Sequence, residues 1–293
     1  MANSIEYAKR FMPIIDAVYK AESVTNGMDA AVRPDFTGVN EVKVLMTSTT
    51  GLGDYSRATG YPKGDVTAAW ATLALTEERG KEISVDRMDD EETLGLTFGS
   101  VTGEFMRLHV IPELDAYRFA KYASTAGINK ATPAALTKDT VVPAIDEAAR
   151  ALDAEEVPMA GRRLYINSDL KPVLNNALAR VWASDGTVNT VLAGYNDMPI
   201  GWVPRSRFYT SVTMNSGATS WGYAKKAGAA DINFMIIYPP AILQVVKFSL
   251  PKIFSPDVNQ DKDAWKFQFR EYHDAFVYQN KVKGLYLHAK PAA

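Results

Sequence analysis

Near the end of the chain Asp257, Asn259, Asp261 and Asp263 stand at the alternating spacing of the first ligands of a calcium loop. Such a loop also needs glycine at its sixth position, for the sharp turn, and a bidentate glutamate at its twelfth. Those positions hold Lys262 and Gln268, and the lysine would set a positive charge beside the ion. The stretch therefore reads as a turn between strands. His109, His273 and His288 form no His-Glu-x-x-His or histidine–cysteine pattern and read as structural or surface residues. The run Gly51 to Ser56, GLGDYS, lacks the third glycine and the following helix of a dinucleotide fingerprint, and lacks the Gly-Lys-Ser/Thr of a phosphate loop. Its glycines read instead as backbone freedom at a hairpin tip. There is no Gly-x-Ser-x-Gly elbow, and Ser100 and Ser168 have no recognisable base partner. Among 34 carboxylates some pair will always look catalytic, so unselected pairs carry no information. No catalytic, cofactor-binding or metal-ligating residue is assigned, and no enzyme activity is expected.

The elements that position these residues belong to a chain of 293 residues, long enough for one large domain or two ordinary ones. Its 47% apolar and 23% charged residues are a globular composition. A formal charge of -2 supplies no global basic field to gather nucleic acid. With no cysteine there can be no disulfide, thiolate nucleophile, iron–sulfur cluster or cysteine zinc site. Glu6, Lys9, Arg10, Asp16 and Lys20 interrupt the apolar residues of the amino terminus, unlike a signal peptide. The densest later run, Ile232 to Val246, is broken by Pro239 and Pro240 and is too short to span a bilayer. A soluble chain kept in a reducing compartment is expected.

Ile5, Ala8, Met12, Ile15 and Tyr19 recur at helical spacing, so the chain opens on an amphipathic helix, followed by an extended arm from Glu22 to Asn40. From Val42 to Asp86 the pattern is a long hairpin: Val42, Val44 and Met46 alternate in one limb, and Trp70, Thr72 and Ala74 in the other. Its glycine-rich middle, Thr47 to Thr67, has little with which to build a core. The run Glu77 to Gly80, EERG, reads as a turn before a strand from Lys81 to Val85. The period then becomes helical, with Leu94, Phe98, Val101, Phe105 and Leu108 forming a stripe that continues towards Tyr122. Asp89, Asp90, Glu91 and Glu92 occupy its amino end, where the helix dipole favours negative charge. Pro112 should bend or interrupt this element, which at roughly 30 residues would be about 45 Å long.

A second helix is expected from Asp139 to Val157, capped by Asp139 or Thr140. After it come a strand from Arg163 to Ile166, a Ser168/Asp169 start signal and a helix through Trp182. Further strands are read in MPIGWVPRSRFY and DINFMIIYP, so Gly127 to Tyr238 mixes helices and strands. Beyond the double proline, period-two alternation predicts three long antiparallel strands joined at SPDVNQDKD and QNKVKG, with the long helix lying across one face of their sheet. Arg57, Lys63, Arg79 and Lys81 punctuate the first hairpin, opposite in sign to Asp89, Asp90, Glu91 and Glu92. They are either solvated decoration or, taken together, intersubunit salt-bridge candidates.

This order, together with four stretches of wording, resembles the major capsid proteins of tailed double-stranded DNA bacteriophages, whose fold superfamily takes in encapsulins and the herpesvirus capsid floor. The stretches are GLGDYSRATGYPKGDVTAAWATLALTEERGKEISVD, VTGEFMRLHVIPELDAYRFAKYAS, GRRLYINSDLKPVL and DVNQDKDAWKFQFREYHDAFVYQNKVKGLYLH. The resemblance implies an α+β fold with residues 1–40 as N-terminal arm, 41–87 as extended hairpin loop, 88–126 as the spine helix of a peripheral domain, 127–240 as an axial domain, and 241–293 as the peripheral domain's antiparallel strands. It implies a self-assembling icosahedral shell, built of hexamers and pentamers of this chain, that encloses double-stranded DNA without sequence-specific binding. Scaffolding, portal and decoration proteins are the implied partners, without cofactor or membrane. The implied location is the virion capsid, assembled through a procapsid in the bacterial host cytoplasm. Because the sequence opens almost directly on the arm, the scaffold would be either a removed segment or a separate protein. The contact candidates are Met12, Ile15, Arg57, Lys63, Arg79, Lys81, Asp89, Asp90, Glu91 and Glu92. Two alternatives stay open: an encapsulin-type compartment shell, and a soluble monomeric hydrolase or binding protein.

Overall fold

The computed structural model describes residues 23–28, 41–58, 60–92, 96–178, 181–182, 188–189 and 194–292. Met12, Ile15 and the rest of the opening stripe lie outside these residues, as do most of the expected arm, Leu94, and the side chains of Glu91, Glu92 and Phe98. The chain divides into two compact units, Ala31–Glu77, and Met1–Ala30 with Glu78–Ala293.

The smaller unit is a hairpin. Strands β1 (Glu41–Thr49) and β2 (Val66–Ala74) pair antiparallel from Glu41↔Ala74 to Thr49↔Val66, in keeping with their alternation. At the tip, Ser56 and Gly60 bridge, and Gly60 takes a left-handed φ of 81° that favours glycine. Leu45, Leu52, Tyr55, Tyr61, Val66 and Trp70 are all exposed.

In the larger unit β3 (Glu77–Asp86) runs into α1 (Arg87–Glu92), and α2 (Leu96–Phe105) into a π-helical turn, Met106–Val110, and α3 (Ile111–Ser124). Phe105, Val110 and Ile111 all have right-handed helical backbone, so Pro112 widens the helix rather than breaking it. Proline has no amide hydrogen and its ring crowds the carbonyl one turn back, here that of Leu108; an i→i+5 turn makes room for it. Beyond Phe105 the inserted residue also rotates the apolar stripe. Met106 and Val110 are buried, whereas Val101 and Leu108 are 36% and 54% exposed, which corrects the stripe expected through Val101 and Leu108.

There follow β4 (Asn129–Lys130), α4 (Val141–Ala154), β5 (Arg163–Asn167), α5 (Lys171–Ala177), β6 (Val181–Trp182), β7 (Val188–Asn189), β8 (Gly194–Tyr195) and β9 (Met198–Val203). The remaining strands are β10 (Val212–Met214), β11 (Tyr223–Lys225), β12 (Ile232–Ile237), β13 (Ile242–Phe254), β14 (Ala264–Val277) and β15 (Leu285–Ala289). Thr140 precedes α4 as expected, but its hydroxyl accepts from the Thr137 amide at 2.8 Å instead of capping the helix. Ahead of α5 a 3-10 turn, Ser168–Leu170, is capped by Asn167, whose side chain accepts from the Asp169 amide at 3.0 Å, and α5 itself starts after Leu170 without a side-chain cap. That helix stops at Ala177, short of the expected Trp182, where Leu178 turns to extended backbone.

Two sheets organise the unit, one of six strands ordered β4-β15-β12-β5-β9-β8 and one of three ordered β13-β14-β3. Two expectations are corrected here. The run Glu77–Gly80 is strand, not turn: a Cβ on Gly80 would meet the Phe269 carbonyl oxygen at 3.0 Å, so the glycine serves close approach to β14. And β15 leaves its two neighbours in sequence to pair with β12 and β4. In β12, INFMII, every residue is buried, because the strand is central and covered on both faces. As expected, the long helix packs on the smaller sheet, with Phe105, Met106 and Val110 against Trp265, Phe267, Phe269, Ile83 and Val85.

Helix α3 carries charge inside the core. Asp115 is fully buried and accepts from Ser23 Oγ (2.8 Å), the amides of Val24 (3.1 Å) and Thr25 (3.3 Å), and Thr25 Oγ1 (2.7 Å), with Arg207 Nη1 at 3.3 Å. Arg118 donates to the same Thr25 hydroxyl at 2.8 Å. Two residues after Asp115, Tyr117 donates to buried Asp274 at 2.7 Å, and Lys121, one turn further on, lies 3.3 Å from the same oxygen. Next to it His273 sits edge-on to Tyr117, with ring centres 5.3 Å apart. Burial first, and the nearby Arg118 charge second, push its pKa from 6.5 down to about 3.

Two predictions follow from this buried polar layer. Replacing Asp115 with alanine strands Thr25 and Arg207 without their anion and should destabilise the folded chain by about 3–5 kcal/mol, read as a lower urea midpoint. An unchanged midpoint would refute the anchoring role. For His273 the unfolded chain binds a proton below pH 6.5 that the folded chain refuses until about 3, so stability falls as pH drops through that window. The slope should be up to ~1.4 kcal/mol per pH unit, and His273→Gln should flatten it in urea melts taken across that range.

Candidate assembly surfaces

Beside the buried layer, β3, the π-helical turn, the start of α3, β14 and the β10–β11 loop enclose a groove of about 330 Å³. Its apolar walls include Phe105, Val110, Leu114, Trp221 and Phe269. Arg79 holds the groove together from within. Its Nε donates to Glu113 Oε1 at 2.6 Å, Nη1 to the Asn215 carbonyl at 2.7 Å and Nη2 to the Gly222 carbonyl at 3.3 Å. This corrects the expectation that Arg79 projects with the hairpin: the guanidinium ties the β10–β11 loop to α3 within the chain. Lys81, two residues on and so on the same face of β3, behaves differently. Its ammonium lies 4.9 Å from the Trp221 ring centre and 5.4 Å from that of Phe105, a cation–π arrangement on two aromatic rings.

Among the other contact candidates, Arg57 and Lys63 are exposed in the hairpin tip and Asp89 is exposed on α1. Asp90 is buried, because the helical turn of α1 carries it inward, which corrects its expected surface role. Sequence reasoning missed Trp221 and Glu113. The signal for Trp221 was a tryptophan among the small turn residues of NSGATSWGY; its ring covers Gly217, where a Cβ would meet it at 2.8 Å.

The stretch with calcium-loop spacing is a turn whose polar groups are used by the chain itself. Arg87 Nη1 lies 3.3 Å from Asp257 and 3.5 Å from Asp263, and Lys266 binds Asp261. Asn259 donates to the Ala264 carbonyl at 2.9 Å and accepts from the Asp261 amide at 3.2 Å. Among the described residues no group of three or more His, Asp or Glu could hold a metal ion. Nor, among them, is any helix long and apolar enough to cross a membrane. His288 is buried in β15, where burial lowers its pKa, while His109 is exposed at the groove and its ring lies 5.9 Å from that of Phe105.

No protein-family model matches the chain, and no curated protein matches it. Solved structures do. The asymmetric unit of the mature capsid of bacteriophage PhiM1 matches with a TM-score of 0.59 at 10% identity, over 92% of this chain and 87% of that one. The capsid of Cyanophage P-SCSP1u matches with a TM-score of 0.57 at 12% identity, over 90% of each chain. A virus-like particle from Pyrococcus furiosus matches with a TM-score of 0.55 at 13% identity, over 97% of this chain and 99% of that one. At such identities the likeness is one of fold, and the chain has an α+β fold of the kind that builds phage capsids.

Proposed function

We propose that this chain is a major capsid protein, the repeated subunit of an icosahedral shell that encloses the double-stranded DNA genome of a tailed bacteriophage. The observation that carries the reading is the hairpin. It exposes six large apolar side chains, among them Tyr61 at 85% and Trp70 at 65%, and an apolar surface on so thin an element calls for partners. A subunit that tiles spreads its affinity over several neighbours, each crossing adding buried area and charge pairs. The capsid folds described above support the same reading. In it, the opening stripe with Met12 and Ile15, the tip cations Arg57 and Lys63, and the acids Asp89, Glu91 and Glu92 meet neighbouring copies within hexamers and pentamers. A formal charge of -2 fits DNA held by confinement rather than by tight local binding. Scaffolding, portal and decoration proteins, and assembly through a procapsid in the host cytoplasm, belong to the proposal. So does the division into arm, extended loop, peripheral domain and axial domain.

An encapsulin-type compartment shell, the alternative left open by the sequence, is the second reading. Nuclease-protected DNA inside purified particles supports the phage reading, and protein cargo without DNA supports the compartment. Deleting Thr47 to Thr67 should leave a soluble, folded subunit and abolish closed particles. Particle counts by negative-stain microscopy that survive the deletion would overturn the role given to the hairpin. Monodisperse monomer in light scattering of the intact chain at micromolar concentration would overturn the shell altogether.

A further inference from the structure

Lys81 is half-buried over two aromatic rings and makes no ion pair among the described residues. The Glu113 carboxylate is committed to Arg79. On the same lining, His273 is buried and its Nδ1 has no hydrogen-bond partner. The groove thus presents apolar walls, a cation at their edge and an unsatisfied polar atom, a combination suited to an apolar side chain with a carboxylate close behind it. The hairpin tip carries that pairing. Leu52, flanked by Gly51 and Gly53, is fully exposed, and Asp54 is exposed without an ion pair among the described residues. Residues two apart face the same side of an extended chain, while the intervening Gly53 lets Pro62 pack close behind them, its ring 3.0 Å from where a Cβ would stand. Tyr55 and Tyr61, edge to face with ring centres 5.0 Å apart, stiffen the tip behind them.

We infer that the groove of one copy receives the hairpin tip of a second, with Leu52 seated among Phe105, Trp221 and Phe269 and the Asp54 carboxylate paired with Lys81. This rests on the shell reading and names the receptor for the hairpin. An opposite charge brought to a partly desolvated cation contributes more to specificity than to bulk affinity, so reversing either charge should disrupt docking and reversing both should restore it. Trp221, exposed at the rim, is the residue type that dominates such contacts.

The test uses the full chain. Lys81→Glu and Asp54→Lys should each lower particle yield by about tenfold or more in sedimentation and negative-stain counts, while the dilute subunit keeps its near-ultraviolet circular dichroism. The double variant should return to within about twofold of the wild type. Independently, wild-type particles assembled from mixed ¹⁴N and ¹⁵N subunits are treated with a zero-length carbodiimide coupler and analysed by mass spectrometry. Mixed-isotope peptides joining Lys81 to Asp54 are expected. A double variant no better than the single ones, joined peptides of one isotope only, or no joined peptide at all would overturn the inference. Wild-type particles that form regardless would leave the shell reading standing, whereas no particles from any variant or from the wild type would overturn both.

Discussion

A carboxylate sealed from water has to be neutralised where it stands, and much of this structure can be understood as the neutralising of Asp115. Its oxygens draw the Ser23–Thr25 turn and Arg207 to one face of α3. Segments nearly two hundred residues apart in sequence therefore meet on a single helix. The same helix serves a second buried acid, Asp274, through Tyr117 and Lys121. Its apolar residues Phe119, Tyr122 and Ala123 share a core with β12, β14 and β15, so the two sheets are fastened through one element. Removing the charge would not merely cost a bond; it would leave donors from two segments facing one another.

The hairpin follows the opposite logic. It satisfies its backbone by pairing with itself, strand against strand, while many of its side chains face water on both sides. An isolated two-stranded ribbon is marginal on its own. The stability of this one is best regarded as conditional on what covers it, and its solubility as a matter of the charged residues interspersed among its apolar ones.

The periods of two and of 3.6 made β1, β2, β13, β14 and the long helix legible, because side chains alternate faces along a strand and recur every turn along a helix. What escaped was information that lives in three dimensions. Gly80 looked like a turn because its actual reason, the backbone of β14 passing 3.0 Å from where a Cβ would stand, has no signature along the chain. Pro112 announced a disturbance but not its form, and the extra residue in the π-helical turn then rotated the stripe beyond Phe105. The destination of β15 was invisible because LYLHA alternates as well for one sheet as for the other. In the groove, Lys81 was legible as a charge, but its setting depends on Trp221, which arrives from 140 residues away.

The position of β15 carries a consequence in time. It lies between β4 and β12, and its partner in β4 precedes it by more than 150 residues, so the six-stranded sheet cannot be completed until residue 289 has been synthesised. A growing chain still on the ribosome lacks a finished sheet and with it a finished lateral surface. The surface that β15 completes is therefore presented only by a chain whose synthesis has passed that point.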